Sequence, residues 1–347
     1  MKAKERYEII RKPAPYVPAP ILVPPSGQGK VPLLKFPMLE GTGLVEHGFS
    51  TRRGGISTGI FSSLNLSFHR GDDREAVMEN FRRLARTFGI HMDQFVFTDQ
   101  THTTTVAMVT EKDAGRGLTL EPAFKDVDGL ITDQPGLMLS AFFADCVPLF
   151  FVDPVRKAIG LSHSGWRGTV NRMGQATILA MNRAFGTEAS DLICAIGPSI
   201  CSDCYEVGMD VAVPFAKGFP GREDEILIGE TKEQYRKRHA PDETENAGKT
   251  SDAEETGNAG KDLAADEIEN DWDLHAHVPG YHGPAGYRGK YMLDLWTANR
   301  IVLEEAGVRP NRIQVTDICT CCNSKLLFSH RASHGRRGNL GAFLMLK

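Results

Sequence analysis

The most apolar stretch of the chain, Leu137 to Val152, carries Asp145 near its middle and Pro148 just beyond it. A membrane-spanning helix needs about 20 uninterrupted apolar residues, so this stretch reads as buried strands meeting at a polar junction. More short apolar runs surround it, bounded by turn residues: Gln94–Phe97, Thr105–Val109, Gly129–Thr132, Leu137–Phe143, Leu149–Val152, Ala158–Ser162, Ile193–Ile196 and Ile313–Thr316. Gln134-Pro135-Gly136 reads as a hairpin turn between two of them.

Helical periodicity alternates with these strands. Val77, Phe81, Leu84, Ala85 and Phe88 share one face of a helix expected over Asp72–Phe88, with Asp72 or Asp73 as N-cap and Gly89 as its stop. Similar patterns predict helices over Thr169–Phe185, ended by Gly186, and Asp294–Ala306, ended by Gly307. Strands mixed with helices predict an α/β class with mixed sheets.

Residues 1–35 hold basic residues followed by Pro13, Pro15, Pro18, Pro20, Pro24 and Pro25, with no apolar h-region. They read as an extended Pro-rich leader, not a secretory signal. Residues 36–347 read as one catalytic domain interrupted by an acidic segment. From Arg222 to Asp273 there are 17 acidic and 7 basic side chains, with Asn246-Ala-Gly-Lys249 repeated at Asn258-Ala-Gly-Lys261. Such a stretch buries too little apolar surface to offset about 1–2 kcal/mol of backbone entropy per residue, so a flexible insertion is expected at about 222–273. The net charge of -4 indicates no nucleic-acid partner. Seven cysteines, an odd number, fit a reducing cytoplasm better than a disulfide framework.

The chemistry concentrates between Gln100 and Gly168. His102 follows one strand, Cys146 precedes another, and His163 leaves a third toward a helix. Strand ends facing a helix N-terminus are where open sheets place ligands. Two imidazoles and one thiolate suit tetrahedral zinc and leave a fourth position open. Histidines at strand ends also serve as hydrogen-bonded structural residues and buried cysteines as small hydrophobes, and the spacing leaves both readings open. Cys201-Ser-Asp-Cys204 and the cluster Cys319-Thr-Cys321-Cys322 could together hold zinc. A second Cys-x-x-Cys pair is not read there, and the four-sulfur site is set aside. Arg52-Arg53-Gly54-Gly55 reads either as an anion-binding turn or as solvated arginines.

In chain order, the motifs resemble the YfiH/FAMIN-type purine nucleoside phosphorylase family, formerly labelled polyphenol oxidase or multicopper laccase. The resemblance rests on His47-Gly-Phe-Ser-Thr-Arg52-Arg-Gly-Gly55, Asn65 within Leu-Asn-Leu, Gln100-Thr-His102, Asp126-Val-Asp-Gly129, Ala144-Asp-Cys-Val-Pro148 and His163-Ser-Gly-Trp-Arg-Gly168. It continues through Ala195-Ile-Gly-Pro-Ser-Ile-Cys201, Tyr205-Glu-Val-Gly208, Leu293-Asp-Leu-Trp-Thr-Ala-Asn-Arg300, Asp317-Ile-Cys-Thr320 and Phe328-Ser-His-Arg331. It implies a YfiH-like layered sandwich of mixed β-sheets flanked by helices, and a zinc ion on His102, Cys146 and His163. It also implies phosphorolysis of adenosine, inosine and methylthioadenosine to free base and ribose 1-phosphate, with adenosine deamination besides. Gln100-Thr-His-Thr103 replaces the family's Gln-Val-His-Gly, and Ala332 follows Arg331 where a second arginine is common, which leaves substrate preference open.

For those reactions Asp145 is the candidate proton carrier, Arg52 and Arg167 are the candidates for phosphate, and Asn65 is a candidate substrate contact. Three rivals share these residues. A thiol hydrolase would use Cys146 with His163 as base. A four-copper oxidase would need many imidazoles, and the chain has 11 histidines with one His-x-His pair, His275-Ala-His277. A structural zinc protein would close the fourth position with another donor. The oligomeric state is not read from the sequence.

Overall fold

The computed structural model describes residues 8–13, 20–120, 123–229 and 290–347. The chain forms two compact units, Met1–Tyr205 with Asp294–Lys347, and Glu206–Leu293.

The first unit is built on two sheets. In the seven-stranded sheet the order is Ile21–Val23, Leu33–Lys35, Val45–Ser50, Leu340–Leu346, Met138–Phe143, Phe95–Asp99 and Phe124–Lys125. The six-stranded sheet runs Ile313–Val315, Ile193–Ile196, Val147–Asp153, Ala158–Ser164, Gly129–Thr132 and Val106–Met108. Both are mixed: Val147–Asp153 pairs antiparallel with Ala158–Ser164, while Ile193–Ile196 pairs parallel with Ile313–Val315. Two stretches of the expected leader, Ile21–Val23 and Leu33–Lys35, are therefore strands of the larger sheet.

The period-two alternation of a strand sorts side chains into layers. Leu139, Ala141 and Phe143 point into a core shared with Phe150, Val152, Ile159 and Leu161 of the other sheet. Met138, Phe343 and Met345 point the opposite way, onto Val77, Phe81 and Leu84 of the helix Arg74–Phe88. That helix starts where Asp73 accepts a hydrogen bond from the Ala76 amide at 2.7 Å and stops at Gly89, whose φ of 73° suits a residue without Cβ. On the far side of the six-stranded sheet lies the helix Met173–Phe185. Gly160 permits the close approach, since a Cβ there would stand 3.2 Å from Met181 Sδ and from Thr177 Cγ2. The result is the expected layered sandwich, with mixed sheets inside and helices outside.

Two local expectations are corrected. The helix over Thr169–Phe185 is two helices, Trp166–Val170 and Met173–Phe185, because Arg172 takes a left-handed φ of 65° between them. The Gln134-Pro135-Gly136 turn does not close a hairpin: Gly129–Thr132 and Met138–Phe143 belong to different sheets. Apart from the half-buried Phe142 both strands are buried, so their apolar runs carry no sign of which sheet they join. The hairpin of this region is Val147–Asp153 with Ala158–Ser164.

The second unit contains a three-stranded antiparallel sheet with Tyr291–Leu293 between Glu206–Val207 and Leu227–Gly229. The helix Met209–Gly218 buries Val211, Ala212 and Phe215. Of the acidic insertion, residues 230–273 lie outside the described residues, as do His275 and His277. Among the described residues no helix is long and apolar enough to cross a membrane.

Candidate metal centre and cavity

His102 lies just past the strand Phe95–Asp99, Cys146 just before Val147–Asp153, and His163 near the end of Ala158–Ser164. The antiparallel register sets Ser164 against Val147 and His163 against Pro148, which carries Cys146 to the same end of the sheet. His102 arrives from the other sheet. One ligand atom from each of His102, Cys146 and His163 lies within 4.8 Å of the other two.

A buried carboxylate that received no role in the sequence reading organises the group. Asp128 Oδ1 accepts from His163 Nδ1 at 2.8 Å, which leaves Nε2 as that ring's free lone pair. The same carboxylate accepts the backbone amides of Thr101, His102 and Thr103 at 3.2, 3.1 and 2.8 Å. His102 has a φ of 66°, unfavourable for a residue with a Cβ, and the ring of amides closed on Asp128 holds it there. Burial opposes the charge on Asp128, but the His163 ring and the Thr103 bonds outweigh it and hold its carboxyl below the ordinary range.

The three side chains fit a metal ion. Cys146 Sγ and His102 Nε2 are 3.9 Å apart. A tetrahedral zinc with bonds of about 2.3 Å to sulfur and about 2.0 Å to nitrogen would set those atoms about 3.5 Å apart. Gly165 leaves the space: a Cβ there would sit 2.8 Å from His102 Cδ2 and 3.1 Å from Cys146 Sγ. Dense surroundings oppose a thiolate at Cys146, yet the facing His163 and the hydrogen bond with His102 bring it down to about 6. The ligand form of the sulfur is thus favoured near neutral pH.

The triad opens on a cavity of about 700 Å³. Its walls include Phe68, Phe97, Phe142 and Phe143, and its cations are Arg70, Arg74, Lys125 and Arg337. Phe142 stacks on Phe97 with centroids 4.8 Å apart. Gln100 joins this wall to the metal loop, giving its side-chain amide to Phe142 O at 3.0 Å and accepting the Phe142 amide at 2.7 Å. Arg337 is buried and donates to Gly338 O and Asn339 Oδ1, while its Nε has no partner among the described residues. Burial, then neighbouring Arg70, bring Arg337 down to about 10, still cationic at neutral pH.

The other sequence candidates fall elsewhere. Arg52 lines a second cavity of about 370 Å³, which Arg337 also borders, donating to Ser62 O and Ser324 O and lying over the Phe328 ring. Arg167 is exposed and lies over Trp166. Asp145 is buried, with its two oxygens taken by the Thr320 hydroxyl at 2.6 Å and the Arg331 amide at 2.7 Å. Asn65 is buried and turned inward. Its side chain binds Ser67 through both backbone groups, and also Asp72 and the Asn339 amide. It fixes two segments of the cavity wall without facing the cavity. The missed residues are Asp128 just before the strand Gly129–Thr132, Arg70 and Arg74 at the approach to and start of the helix Arg74–Phe88, Lys125 at the end of Phe124–Lys125, and Arg337 before Leu340–Leu346, and no local pattern announces their convergence. Asp128 alone left a trace, a carboxylate at a strand start of the kind a ligand histidine requires.

A mixed-sheet sandwich with a two-histidine, one-cysteine cluster under an aromatic and cationic cavity defines a class of α/β protein with a candidate metal site. The chain belongs to the family described as multi-copper polyphenol oxidoreductase laccase, whose model matches residues 46–241 and 259–347. It is similar to the purine nucleoside phosphorylase YlmD of Bacillus subtilis, 31% identical over 301 residues, covering 86% of this chain and 88% of that one. It is also similar to adenosine deaminase RL5 from an unknown prokaryotic organism, 38% identical over 173 residues, covering 49% of this chain and 65% of that one. Its fold matches the crystal structure of Bacillus licheniformis YfiH with a TM-score of 0.72 and 28% identity, covering 94% of this chain and 99% of that one.

Proposed function

We propose that the chain is a zinc-dependent purine nucleoside phosphorylase that also deaminates adenosine, acting on adenosine, inosine and methylthioadenosine. The observation that carries this reading is the convergence of His102, Cys146 and His163 beside a 700 Å³ cavity with aromatic walls and a half-paired buried arginine. That volume suits a nucleoside together with phosphate. The names of the relatives support the substrate class.

His102, Cys146 and His163 would hold the ion, and zinc supplies a Lewis acid with one open coordination position. Asp128 keeps the His163 proton on Nδ1 and the His102 loop closed. Phe142, backed by the buried Phe97, offers flat apolar surface to a purine. Arg337 and Arg70, which line the cavity, bind phosphate in place of Arg52 and Arg167, which stand outside it. Asp145, with both oxygens engaged, positions the loop before Cys146 instead of carrying protons. Among the described residues two groups could hold a metal, this triad and one set of four cysteines, which supports one catalytic ion over a four-copper centre.

The test is metal analysis of the purified chain with adenosine incubated with and without phosphate. Adenine and ribose 1-phosphate are expected only with phosphate, inosine in both cases, and neither after chelation or in Cys146→Ala. Full activity in Cys146→Ala would end the assignment.

One observation favours a thiol hydrolase as second reading. Cys146 is drawn down, and His163 is pushed up to about 9 because Cys146 and Asp128 outweigh its burial, as in a cysteine–histidine–aspartate nucleophile. Activity lost to thiol alkylation but indifferent to chelators would select it.

A further inference from the structure

A second group of sulfur atoms lies apart from the cavity. The strands Ile193–Ile196 and Ile313–Val315 run parallel, so the loops that follow them leave the sheet side by side. A bridge pairs Ser199 with Cys319, and the Thr320 amide donates to Ser199 O at 3.1 Å. The two loops thereby bring together Cys201, Cys204, Cys319 and Cys322, whose Sγ atoms all lie within 4.8 Å of one another. Cys319 and Cys322 have Cys-x-x-Cys spacing, with Thr320 and Cys321 between them. The pair set aside in the sequence reading is thus complete.

We propose that Cys201, Cys204, Cys319 and Cys322 bind a single zinc ion as a second, structural metal site. The sulfur spacing suits one ion: Cys204 Sγ and Cys322 Sγ are 3.4 Å apart. Tetrahedral zinc with four sulfur bonds of about 2.3 Å would place its ligands about 3.8 Å apart. Cys319 Sγ also accepts the amides of Cys201 and Cys322 at 3.3 and 3.4 Å, which suits a thiolate at that position. Four thiolates on one divalent ion carry two negative charges. The Lys12 ammonium, paired with Asp203 at 2.8 Å, stands within electrostatic reach of Cys201 and Cys322. Four protein donors leave no open position, so the site holds structure and performs no chemistry.

What it would hold is the support of the first site. Thr320, between Cys319 and Cys322, donates to Asp145, the residue before Cys146. Asn323, next after Cys322, binds both backbone groups of Ile10 and fastens residues 8–13 to this unit.

The test counts metal in full chain purified under reducing, zinc-supplemented conditions. Two zinc ions per chain are expected in the unaltered protein, one in Cys146→Ala, and one in the double variant Cys204→Ser/Cys322→Ser. Should that variant fail to fold, cobalt loaded into the unaltered protein gives a second readout. Thiolate-to-cobalt absorption should then survive Cys146→Ala at roughly the strength of four sulfurs. One ion in the unaltered protein and in Cys146→Ala, with none in the folded double variant, would support this site and sink the catalytic assignment. A folded double variant that keeps all its metal, or cobalt absorption abolished by Cys146→Ala, would overturn the proposal. Iron at the four sulfurs would overturn the zinc assignment.

Discussion

Asp128 and His163 share two hydrogen bonds, one between side chains at 2.8 Å and one from the His163 amide to the Asp128 carbonyl at 2.7 Å. An ionised carboxylate only accepts, so His163 Nδ1 carries the proton and Nε2 faces the cluster. Asp128→Asn would offer an amide that can turn either end to the ring. The variant should fold and should bind zinc about 10–100-fold more weakly, as measured by competition with a chromogenic chelator. Unchanged affinity would mean that Asp128 does not set the tautomer.

Gly165→Ala tests the space around the cluster. Gly165 has a φ of -69°, acceptable for alanine, so the backbone is not strained. The added methyl would meet His102 and Cys146 directly. The thermal midpoint in chelator should stay within a few degrees of the parent, while zinc in the catalytic site is lost. Retention of that ion in Gly165→Ala would show that the ligands lie further apart than they do here.

Arg337 borders both cavities and Arg52 only the smaller one, so Arg337→Gln and Arg52→Gln weigh their shares in phosphate binding. A charge-assisted hydrogen bond contributes about 1.5–3 kcal/mol, or about 10–100-fold in affinity. KM for phosphate should rise by that factor in Arg337→Gln and stay nearly constant in Arg52→Gln. The opposite pattern would return the phosphate to Arg52.

His47 supplies a pH dependence unconnected with catalysis. Its Nε2 accepts the Phe36 amide at 2.8 Å, and the ring is buried. Burial, helped by Lys35 and Lys347, pushes it from 6.5 down to about 3. The unfolded chain therefore takes a proton near pH 6.5 that the folded chain refuses. The stability contribution is complete above that pH and falls by about 1.4 kcal/mol per unit as pH drops toward 3. Urea unfolding between pH 7 and 4 should show a shallower acid slope in His47→Gln than in the parent. Parallel slopes would contradict the assignment.

The parts of this molecule legible in sequence are those with a local cause. The helix Arg74–Phe88 follows from its apolar spacing, the Asp73 cap and the Gly89 stop, all within one window. The ligand triad was legible as residue types at strand ends, and its zinc reading came from resemblance. Arg172 splits a helix against its periodicity, and the strands on either side of Gln134-Pro135-Gly136 join different sheets though both are mostly apolar and buried. The cavity's cations lie at a helix start, a strand end and in loops that meet only in the assembled fold. The four-thiol group was legible as one Cys-x-x-Cys pair and a cysteine cluster whose own pair was not read, and nothing in the spacing says that the parallel strands before them bring the loops together.

His102 is delivered by one sheet, Cys146 and His163 by the other, and the core between those sheets is filled by Phe143, Phe150 and Leu161. An ion gripped by all three would act as a bolt through two plates, and the core would be the washer that sets their separation. Trimming a core side chain would alter the bolt's fit as well as the fold's stability, so metal affinity becomes a gauge of interlayer thickness. Changes with no contact to substrate can then tune the centre.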